Sequence, residues 1–436
     1  MTQLNRRSFF AASFASVAAL PQLTAAESFV LPTIIGEDMP VQPSILFLTW
    51  HRDPTTTMVI QWVASKGEIS DPTLYYRQAT PHASSGLSLL LGNGGGFAPL
   101  TWFGQKAITK PYPKTDLTIF RVELTGLQPD TEYEFRVSKY SPNYRFRTMP
   151  AKATDTISFI SGGDCGVNGH AIANNISAAN QDPSFAIIGG DLGYDNGRHV
   201  EVSLAFLRNY SKHMVTRTGR LIPLIPCIGN HEVDGGYNKP REKAPFFYAI
   251  FDGLFPETGY NTLDFGDYLS LILLDTGHTS PIAGEQTAWL EQRLRDRIEH
   301  PHVMVVNHVP AYPSARKFEV TGDANRKHWV PLYQKYRVPV VLEHHDHTFK
   351  RTKPLLDGLA HSEGVVYLGD GSWGRLRALQ PPEKLSYLAA SSMDYHLTVH
   401  RLQGETRYHL ALDERGRIMD ATHTGQRTRG RVAVRG

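Results

Sequence analysis

The sequence predicts two folded units in chain order, a β-sandwich and then an α/β domain of β-sheets flanked by helices. Its 436 residues, 41% hydrophobic and 20% charged, exceed what a single core usually holds. From about Pro40 to Pro150 the apolar residues follow the two-residue period of strands, without a helical period. After Asp155 apolar strands alternate with helical or mixed segments, which is typical of an α/β domain.

The first unit contains β-type runs such as Met58–Val63, bounded by Gly, Pro and Asp turns. The segment Phe120–Val137 is more specific, because an alternating strand and a turn are followed by Tyr133 at the start of the next strand. This segment resembles a fibronectin type III domain, in which such a tyrosine packs at the sandwich corner and its hydroxyl bonds to backbone. We therefore expect a fibronectin type III-like domain over residues 40–150.

The second unit, expected over residues 154–412, contains six apolar runs that each precede a polar turn or a candidate ligand: Thr156–Ile160, Phe185–Ile188, Leu221–Ile228, Tyr268–Leu274, Val303–Val306 and Val338–Leu342. Residues 284–299 form the best predicted helix, with an apolar stripe of Trp289, Leu290, Leu294 and Ile298 that we assign to the core. Since strand ends converge on one edge of a sheet, the residues that follow these strands are expected to meet there.

The N-terminal segment predicts export. Arg6 and Arg7 precede an apolar, alanine-rich run that ends at Ala25-Ala26, and this pattern resembles a twin-arginine signal peptide. The run is too short to be a spanning helix of about twenty residues. The resemblance implies that residues 1–26 are removed and that the mature protein is periplasmic or secreted, without a membrane span.

Charge and cysteine content exclude several classes of protein. The formal net charge is +3, and loss of the signal would remove two arginines and no acid, so a nucleic-acid partner is not expected. Residues 421–436 carry arginines and no acid, and we predict a basic, disordered tail. Two cysteines, Cys165 and Cys227, cannot form a disulfide scaffold; buried thiols are favoured over a single disulfide between them.

Five short motifs that follow apolar strands carry the functional prediction. They are Gly163-Asp164-Cys165-Gly166, Gly189-Gly190-Asp191-Leu192-Gly193-Tyr194, Gly229-Asn230-His231-Glu232, Asn307-His308-Val309-Pro310 and His344-His345-Asp346-His347. Each alone has an ordinary interpretation as a turn, a helix start or a polar loop. Carboxylate, amide, phenol and imidazole donors together suit borderline divalent metals and ferric iron. A bridging Asp191 could hold two metals about 3.5–4 Å apart, which predicts a two-metal hydrolase.

These motifs resemble those of the calcineurin-like metallophosphoesterases and, through Tyr194, those of the purple acid phosphatases in particular. The similarity covers the chain from about Pro40 to Ala411. The resemblance implies a catalytic domain of the αββα sandwich type. It also implies a binuclear centre, with an Fe(III) site formed by Asp164, Asp191, Tyr194 and His347. The second site would hold a divalent Zn, Fe or Mn and consist of Asp191, Asn230, His308 and His345.

The resemblance further implies an acid phosphatase that hydrolyses small phosphomonoesters by attack of a metal-bound hydroxide on phosphorus, with His231 as the catalytic residue that protonates the leaving group. Two departures from the family concern substrate binding. His344 stands where the family usually has glycine, and Lys317, beside Arg316, stands where plant members carry a further histidine. These three residues are candidate phosphate contacts, and the two cations could equally be solvated loop residues.

Two alternatives remain open at this point. The same metal core could serve a phosphodiesterase or a nucleotide hydrolase, because a two-metal site attacks diesters as well, and the pocket walls would decide between them. Tyr237, Tyr312 and Trp373 are the candidate wall residues. The third, less favoured class is an extracytoplasmic binding module with a structural metal site, although structural sites rarely keep open positions. The sequence predicts no oligomeric state.

Overall fold

The computed structural model of the protein describes residues 42–65, 71–79, 101–153 and 157–425, which belong to one compact unit that begins at Pro40. The predicted signal of residues 1–26 and the arginines of the predicted tail lie outside these ranges. Within them, no helix is long and apolar enough to cross a membrane.

The N-terminal part is a β-sandwich, as predicted. Its two antiparallel four-stranded sheets have the orders β1-β2-β6-β5 and β4-β3-β7-β8. The strands are β1 Ile45–Thr49, β2 Met58–Ser65, β3 Thr73–Gln78, β4 Phe103–Lys106, β5 Ile108–Pro111, β6 Leu117–Leu124, β7 Glu132–Arg136 and β8 Tyr144–Arg147. The Tyr133 ring is buried and its hydroxyl accepts a hydrogen bond from the Gln128 N–H at 2.9 Å, so the expected corner tyrosine is confirmed.

The catalytic part contains a six-stranded sheet of order β11-β10-β9-β21-β22-β23 and a seven-stranded sheet of order β12-β13-β14-β15-β19-β16-β20. Strands β9–β11 run parallel to one another, as do β13, β14, β15 and β19. The strands are β9 Ser158–Gly162, β10 Ala186–Ile188, β11 Leu224–Pro226, β12 Asn261–Phe265, β13 Leu269–Leu273, β14 His302–Asn307, β15 Val340–Glu343, β16 Phe349–Thr352, β17 Leu355–Leu356, β18 Leu359–Ala360, β19 Val366–Asp370, β20 Leu388–Ser392, β21 His396–Gln403, β22 Thr406–Asp413 and β23 Ile418–Thr424.

Helices occupy the crossovers from β9 to β10, β10 to β11, β13 to β14 and β14 to β15, since parallel strands need long connections, and one further helix lies between β11 and β12. They are α1 Gly169–Ala179, α2 Val200–His213, α3 Pro245–Phe251, α4 Glu285–Asp296, α5 Asp323–His328 and α6 Val330–Lys335. The predicted helix at 284–299 is therefore α4, which ends earlier than expected. Leu290 and Leu294 are buried as expected, whereas Ile298 lies beyond the helix and is 47% exposed.

The seven-stranded sheet separates two apolar cores. Met304 and Val306 of β14 belong to the core that also contains the six-stranded sheet, whereas Val303 and Val305 pack with Trp329 in a second core. The alternation follows from the two-residue period of a strand. The sheets thus pack against each other, and both faces of the seven-stranded sheet are covered.

The C-terminal boundary differs from the prediction. The sheet continues past residue 412, because β22 ends at Asp413 and β23 spans Ile418–Thr424. Strand β23 pairs with β22 in antiparallel register, for example Ala421 with Leu410. Residues 421–424, which we assigned to the tail, are therefore part of the six-stranded sheet.

Candidate metal centre

The predicted ligands meet at the carboxyl ends of five parallel strands. Asp164 follows β9, Asp191 follows β10, Asn230 follows β11, His308 follows β14, and His345 follows β15. Three of these strands belong to one sheet and two to the other, so the site lies where the ends of both sheets converge. This is the position at which α/β sheets collect ligands.

The first cluster joins three side chains at nearly equal distances. The Tyr194 hydroxyl lies 3.1 Å from Asp164 Oδ1 and 3.1 Å from His347 Nε2, and the latter two atoms are also 3.1 Å apart. One phenol, one carboxylate and one imidazole thus point at a common position. With Asp191, these are the residues that the family resemblance implies for the Fe(III) site.

The second cluster is centred on His308. Its Nε2 atom lies 3.3 Å from Asn230 Oδ1, 3.2 Å from His345 Nδ1 and 3.3 Å from Asp191 Oδ1. Ligand atoms of Asp164, Asp191, His308 and His345 all lie within 4.8 Å of one another, so the two clusters are neighbours. All seven predicted ligands are therefore brought together.

The local backbone explains how these side chains point inward. Asp164, Asp191, His345 and His347 have φ angles of 58°, 53°, 69° and 61°, in the left-handed region. Each such residue costs about 1–3 kcal/mol, and such strain concentrates at functional sites. Gly190 has a φ of 100°, and a Cβ there would lie 2.6 Å from His308 Nδ1, so only glycine fits.

Neighbouring groups fix the ligands in place. His308 Nδ1 lies 2.8 Å from the Gly189 carbonyl, which leaves Nε2 facing the cluster. The Glu232 carboxylate accepts hydrogen bonds from the N–H groups of Gly229, Asp191 and Leu192, each at 2.8 Å. Glu232 thereby joins the two turns that carry Asp191 and Asn230.

The electrostatics of the cluster favour positive charge beside Asp191. Burial alone would raise the pKa of Asp191, but His308, His231 and His345 lower it below the usual range. Conversely, burial would lower the pKa of His308, yet Asp191 raises it to about 9. A carboxylate that draws a cation to itself in a buried site is a suitable bridge between two metal ions.

The donors fit a pair of metal ions. Asp191 is 1% exposed, and its Oδ2 atom has no hydrogen-bond partner among the described residues. Buried carboxylate oxygens are normally satisfied, so this atom requires a further ligand. Nitrogen and oxygen donors without a thiolate match the predicted metals, and both cysteines are buried free thiols, as favoured from the sequence.

Three residues that were predicted to act on the substrate, His231, Arg316 and Lys317, lie in different surroundings. The His231 ring lies at the mouth, with its side chain 27% exposed and Nε2 4.0 Å from Asp191 Oδ2. Arg316 donates from Nε and Nη2 to the His345 carbonyl at 3.2 and 3.0 Å, so it braces the loop of a ligand. Lys317 is exposed.

His344 requires a correction. It is 1% exposed, and its Nδ1 lies 2.8 Å from the Asn307 carbonyl. A Cβ on Gly163 would come within 2.6 Å of this ring, and one on Gly189 within 1.9 Å. His344 therefore fills the space between two strand ends beneath the site, and the predicted contact with substrate is replaced by a packing role.

The candidate wall residues divide in the same way. Tyr237 lines the site, since its hydroxyl lies 3.4 Å from both Asn230 Oδ1 and His345 Nε2. Tyr312 and Trp373 are buried in the cores instead.

Sequence reasoning missed Asp346, which accepts hydrogen bonds from the N–H groups of Ala315 and Arg316. It also missed Arg375, whose guanidinium lies 4.2 Å from the centre of the Tyr194 ring.

Comparison with known families agrees with this geometry. Residues 43–148 match the family described as the N-terminal domain of purple acid phosphatases, and residues 162–349 match the calcineurin-like phosphoesterases. The fold and the site thus define a calcineurin-like phosphoesterase. Within that superfamily, the chain belongs to the purple acid phosphatases.

Individual relatives are distant. Purple acid phosphatase 21 of Arabidopsis thaliana is 26% identical over 64% of this chain and 64% of its own length. An uncharacterized protein of Mycobacterium tuberculosis is 24% identical over 72% of this chain and 63% of its own. The chain therefore spans slightly less than two thirds of the length of these relatives.

Two solved structures share the fold. The purple acid phosphatase PPD1 from yellow lupin seeds is 16% identical, with a TM-score of 0.68 over 88% of this chain and 74% of that one. A structure of PhoD is 12% identical, with a TM-score of 0.61 over 87% and 92% of the two chains.

Proposed function

We propose that this protein is an acid phosphatase that hydrolyses phosphomonoesters with a binuclear centre of Fe(III) and a divalent Zn, Fe or Mn. The observation that supports this most is the pair of ligand clusters around Asp191. The buried Oδ2 atom of Asp191 has no hydrogen-bond partner among the described residues. Asp164, Tyr194 and His347 would hold the ferric ion with Asp191, and Asn230, His308 and His345 the divalent ion.

When bound, the two ions would supply an activated water and would neutralise the charge that develops on the phosphate. The protein residues perform the other tasks. His231 faces the centre through Nε2 and donates a proton from that atom to the leaving oxygen. Burial lowers the pKa of His231, although Asp191 opposes this. A lowered pKa means that the protonated donor form is populated only at acidic pH, which agrees with an acid phosphatase.

Replacement of Asp191 tests the proposal. Asp191→Asn keeps the shape but removes the shared negative charge, so we expect metal content to fall and hydrolysis of p-nitrophenyl phosphate to drop by at least about a thousandfold. Asp116→Asn, at an exposed turn of the sandwich, is the matched control and should behave as wild type.

The substrate class is tested with the same protein. A phosphomonoesterase should hydrolyse p-nitrophenyl phosphate faster than bis(p-nitrophenyl) phosphate, and the reverse ranking would support a phosphodiesterase instead. A metal-loaded protein that cleaves neither ester would favour a structural metal site.

We also propose that the protein is exported and that residues 1–26 are removed. The proposal rests on the paired Arg6 and Arg7 before the alanine-rich run. N-terminal sequencing of material from the periplasm or medium should begin close after Ala26. Exported material that still starts at Met1 would contradict the cleavage.

A further inference from the structure

Arg375 is an arginine at the mouth of the metal centre. Arg375 is exposed, and its guanidinium lies over the Tyr194 ring at 4.2 Å from the ring centre. A Cβ on Gly166 would lie 3.5 Å from Arg375 Nε, so the backbone passes close beneath the side chain. Ring and backbone together hold the guanidinium in one region.

Three other cations near the site are engaged. Arg316 bonds to the His345 carbonyl, and the Arg198 and Lys243 side chains both pair with Asp234, at 3.1 and 3.2 Å. Among the described residues, Arg375 has neither a hydrogen bond nor an ion pair. Its five N–H donors are therefore available to a ligand.

The position of Arg375 indicates which part of a substrate it would meet. His231, the proposed donor of a proton to the leaving group, also packs on Tyr194, with ring centres 4.3 Å apart. Arg375 and His231 thus contact the same ring, so a leaving group that His231 protonates is separated from the guanidinium by little more than this ring. A planar guanidinium binds phosphate or carboxylate oxygens in pairs.

We propose that Arg375 binds a second anionic group on the leaving group, so that the enzyme prefers phosphate anhydrides, whose leaving group is itself a phosphate, over phosphate esters with an uncharged leaving group. This inference rests on the proposed phosphatase activity. In the reaction, the oxygen of water bonds to the terminal phosphorus, the bond from that phosphorus to the bridging oxygen breaks, and the bridging oxygen leaves with a proton as part of an anion that Arg375 holds.

The test compares wild type, Arg375→Ala, Arg375→Lys and the control Arg377→Ala, which removes an exposed charge from the same segment. For Arg375→Ala we expect KM for inorganic pyrophosphate to rise about tenfold, while KM for p-nitrophenyl phosphate stays within about twofold. Arg375→Lys should recover part of the loss. Arg377→Ala should match wild type.

A binding measurement makes the result independent of turnover. Calorimetry should show that Arg375→Ala weakens methylenediphosphonate about tenfold and inorganic phosphate much less. Equal losses for both ligands, or no loss for either, would overturn the inference. So would a shift of the visible band of the iron-loaded protein, because Arg375 would then act through Tyr194. Wild-type protein that binds the diphosphonate but cleaves no monoester would instead count against the proposed function alone.

Discussion

The residues that carry the chemistry are also those with unusual backbone conformations. Four of the predicted ligands, Asp164, Asp191, His345 and His347, have left-handed φ angles in the turns that follow β9, β10 and β15. Such a conformation reverses the chain within one residue, so the side chain points across the sheet edge rather than along it. The same strained turns therefore determine where these ligand side chains point.

Tyr194 supplies the phenol that distinguishes the first cluster from the second, and a substitution at Tyr194 tests the role of this phenol separately. In iron-loaded protein, Tyr194→Phe removes the phenolate oxygen that lies 3.1 Å from Asp164 Oδ1, so the visible absorption should disappear. Tyr237→Phe is the matched control, since its hydroxyl lies at the rim, 3.4 Å from Asn230 Oδ1. An absorption band that survives in Tyr194→Phe would contradict the assignment.

The sequence predicted which of these side chains meet at one place, because each motif combines a strand end with donors of fixed chemistry. It failed at His344 and Arg375 for different reasons. His344 has the chemistry of a ligand, but two glycines leave a space that its ring fills, and glycine spacing alone does not show which ring enters. Arg375 belongs to no motif, and its proximity to Tyr194 arises only when distant segments fold together.

At the scale of elements, the site depends on how closely the ends of β9, β10 and β15 approach. The His344 ring, directly after β15, lies against Gly163 and Gly189, which follow β9 and β10. Side chains at these glycines would push the strand ends apart. The spacing of the ends, and with it the distance between Asp164 and Asp191, is therefore set by one imidazole and two glycines.

Gly189→Ala tests this packing. The new Cβ would lie 1.9 Å from His344 Cε1, so we expect a loss of about 1–3 kcal/mol in stability and a reduced metal content. Adding His344→Gly removes the ring and should restore much of the metal content. Gly169→Ala in α1, where nothing lies within 4 Å of the new Cβ, is the control. If Gly189→Ala binds metal normally, the ring does not set the spacing.

All six strands predicted in the second unit are present, with ends shifted by up to three residues, because buried parallel strands are continuous apolar runs. The strands near the C-terminus escaped the pattern for a physical reason. Strands β22 and β23 bury Arg407, His409 and Thr424, which satisfy one another: Thr424 Oγ1 lies 3.0 Å from both Arg407 Nε and His409 Nε2. Polar residues in core positions conceal a strand from any hydrophobicity pattern.

At the scale of the whole molecule, the sandwich and the catalytic part form one structure. The Arg121 guanidinium of β6 reaches the Asp252 carboxylate at 2.6 Å and the Ile250 carbonyl at 2.9 Å. The Tyr112 hydroxyl lies 2.8 Å from Ser203 Oγ of α2. The sandwich thus supports α3, the helix that follows the loop of Asn230, His231 and Tyr237.

The two catalytic sheets are joined at their far end by His302 of β14, which is fully buried. Arg407 of β22 donates to His302 Nδ1 at 3.0 Å, so Nδ1 must be unprotonated, and Nε2 donates to the Gly404 carbonyl at 3.0 Å. Burial and, as the second cause, the nearby Arg407 together lower the pKa of His302 to about 4. Protonation would remove an acceptor and place a second cation beside the arginine.

His302 should therefore make the fold sensitive to acid. Its pKa is lower in the folded state, so the unfolded chain binds the proton first, and stability falls as the pH drops from about 6.5 toward 4. At pH 5 the loss relative to pH 7 is about 2 kcal/mol. In His302→Gln, urea unfolding should show a pH dependence smaller by that amount, whereas His361→Gln at an exposed turn should keep the wild-type slope. If His302→Gln and wild type lose the same stability between pH 7 and pH 5, protonation of His302 does not weaken the contact between the two sheets, and the acid limit of stability must be set elsewhere in the fold.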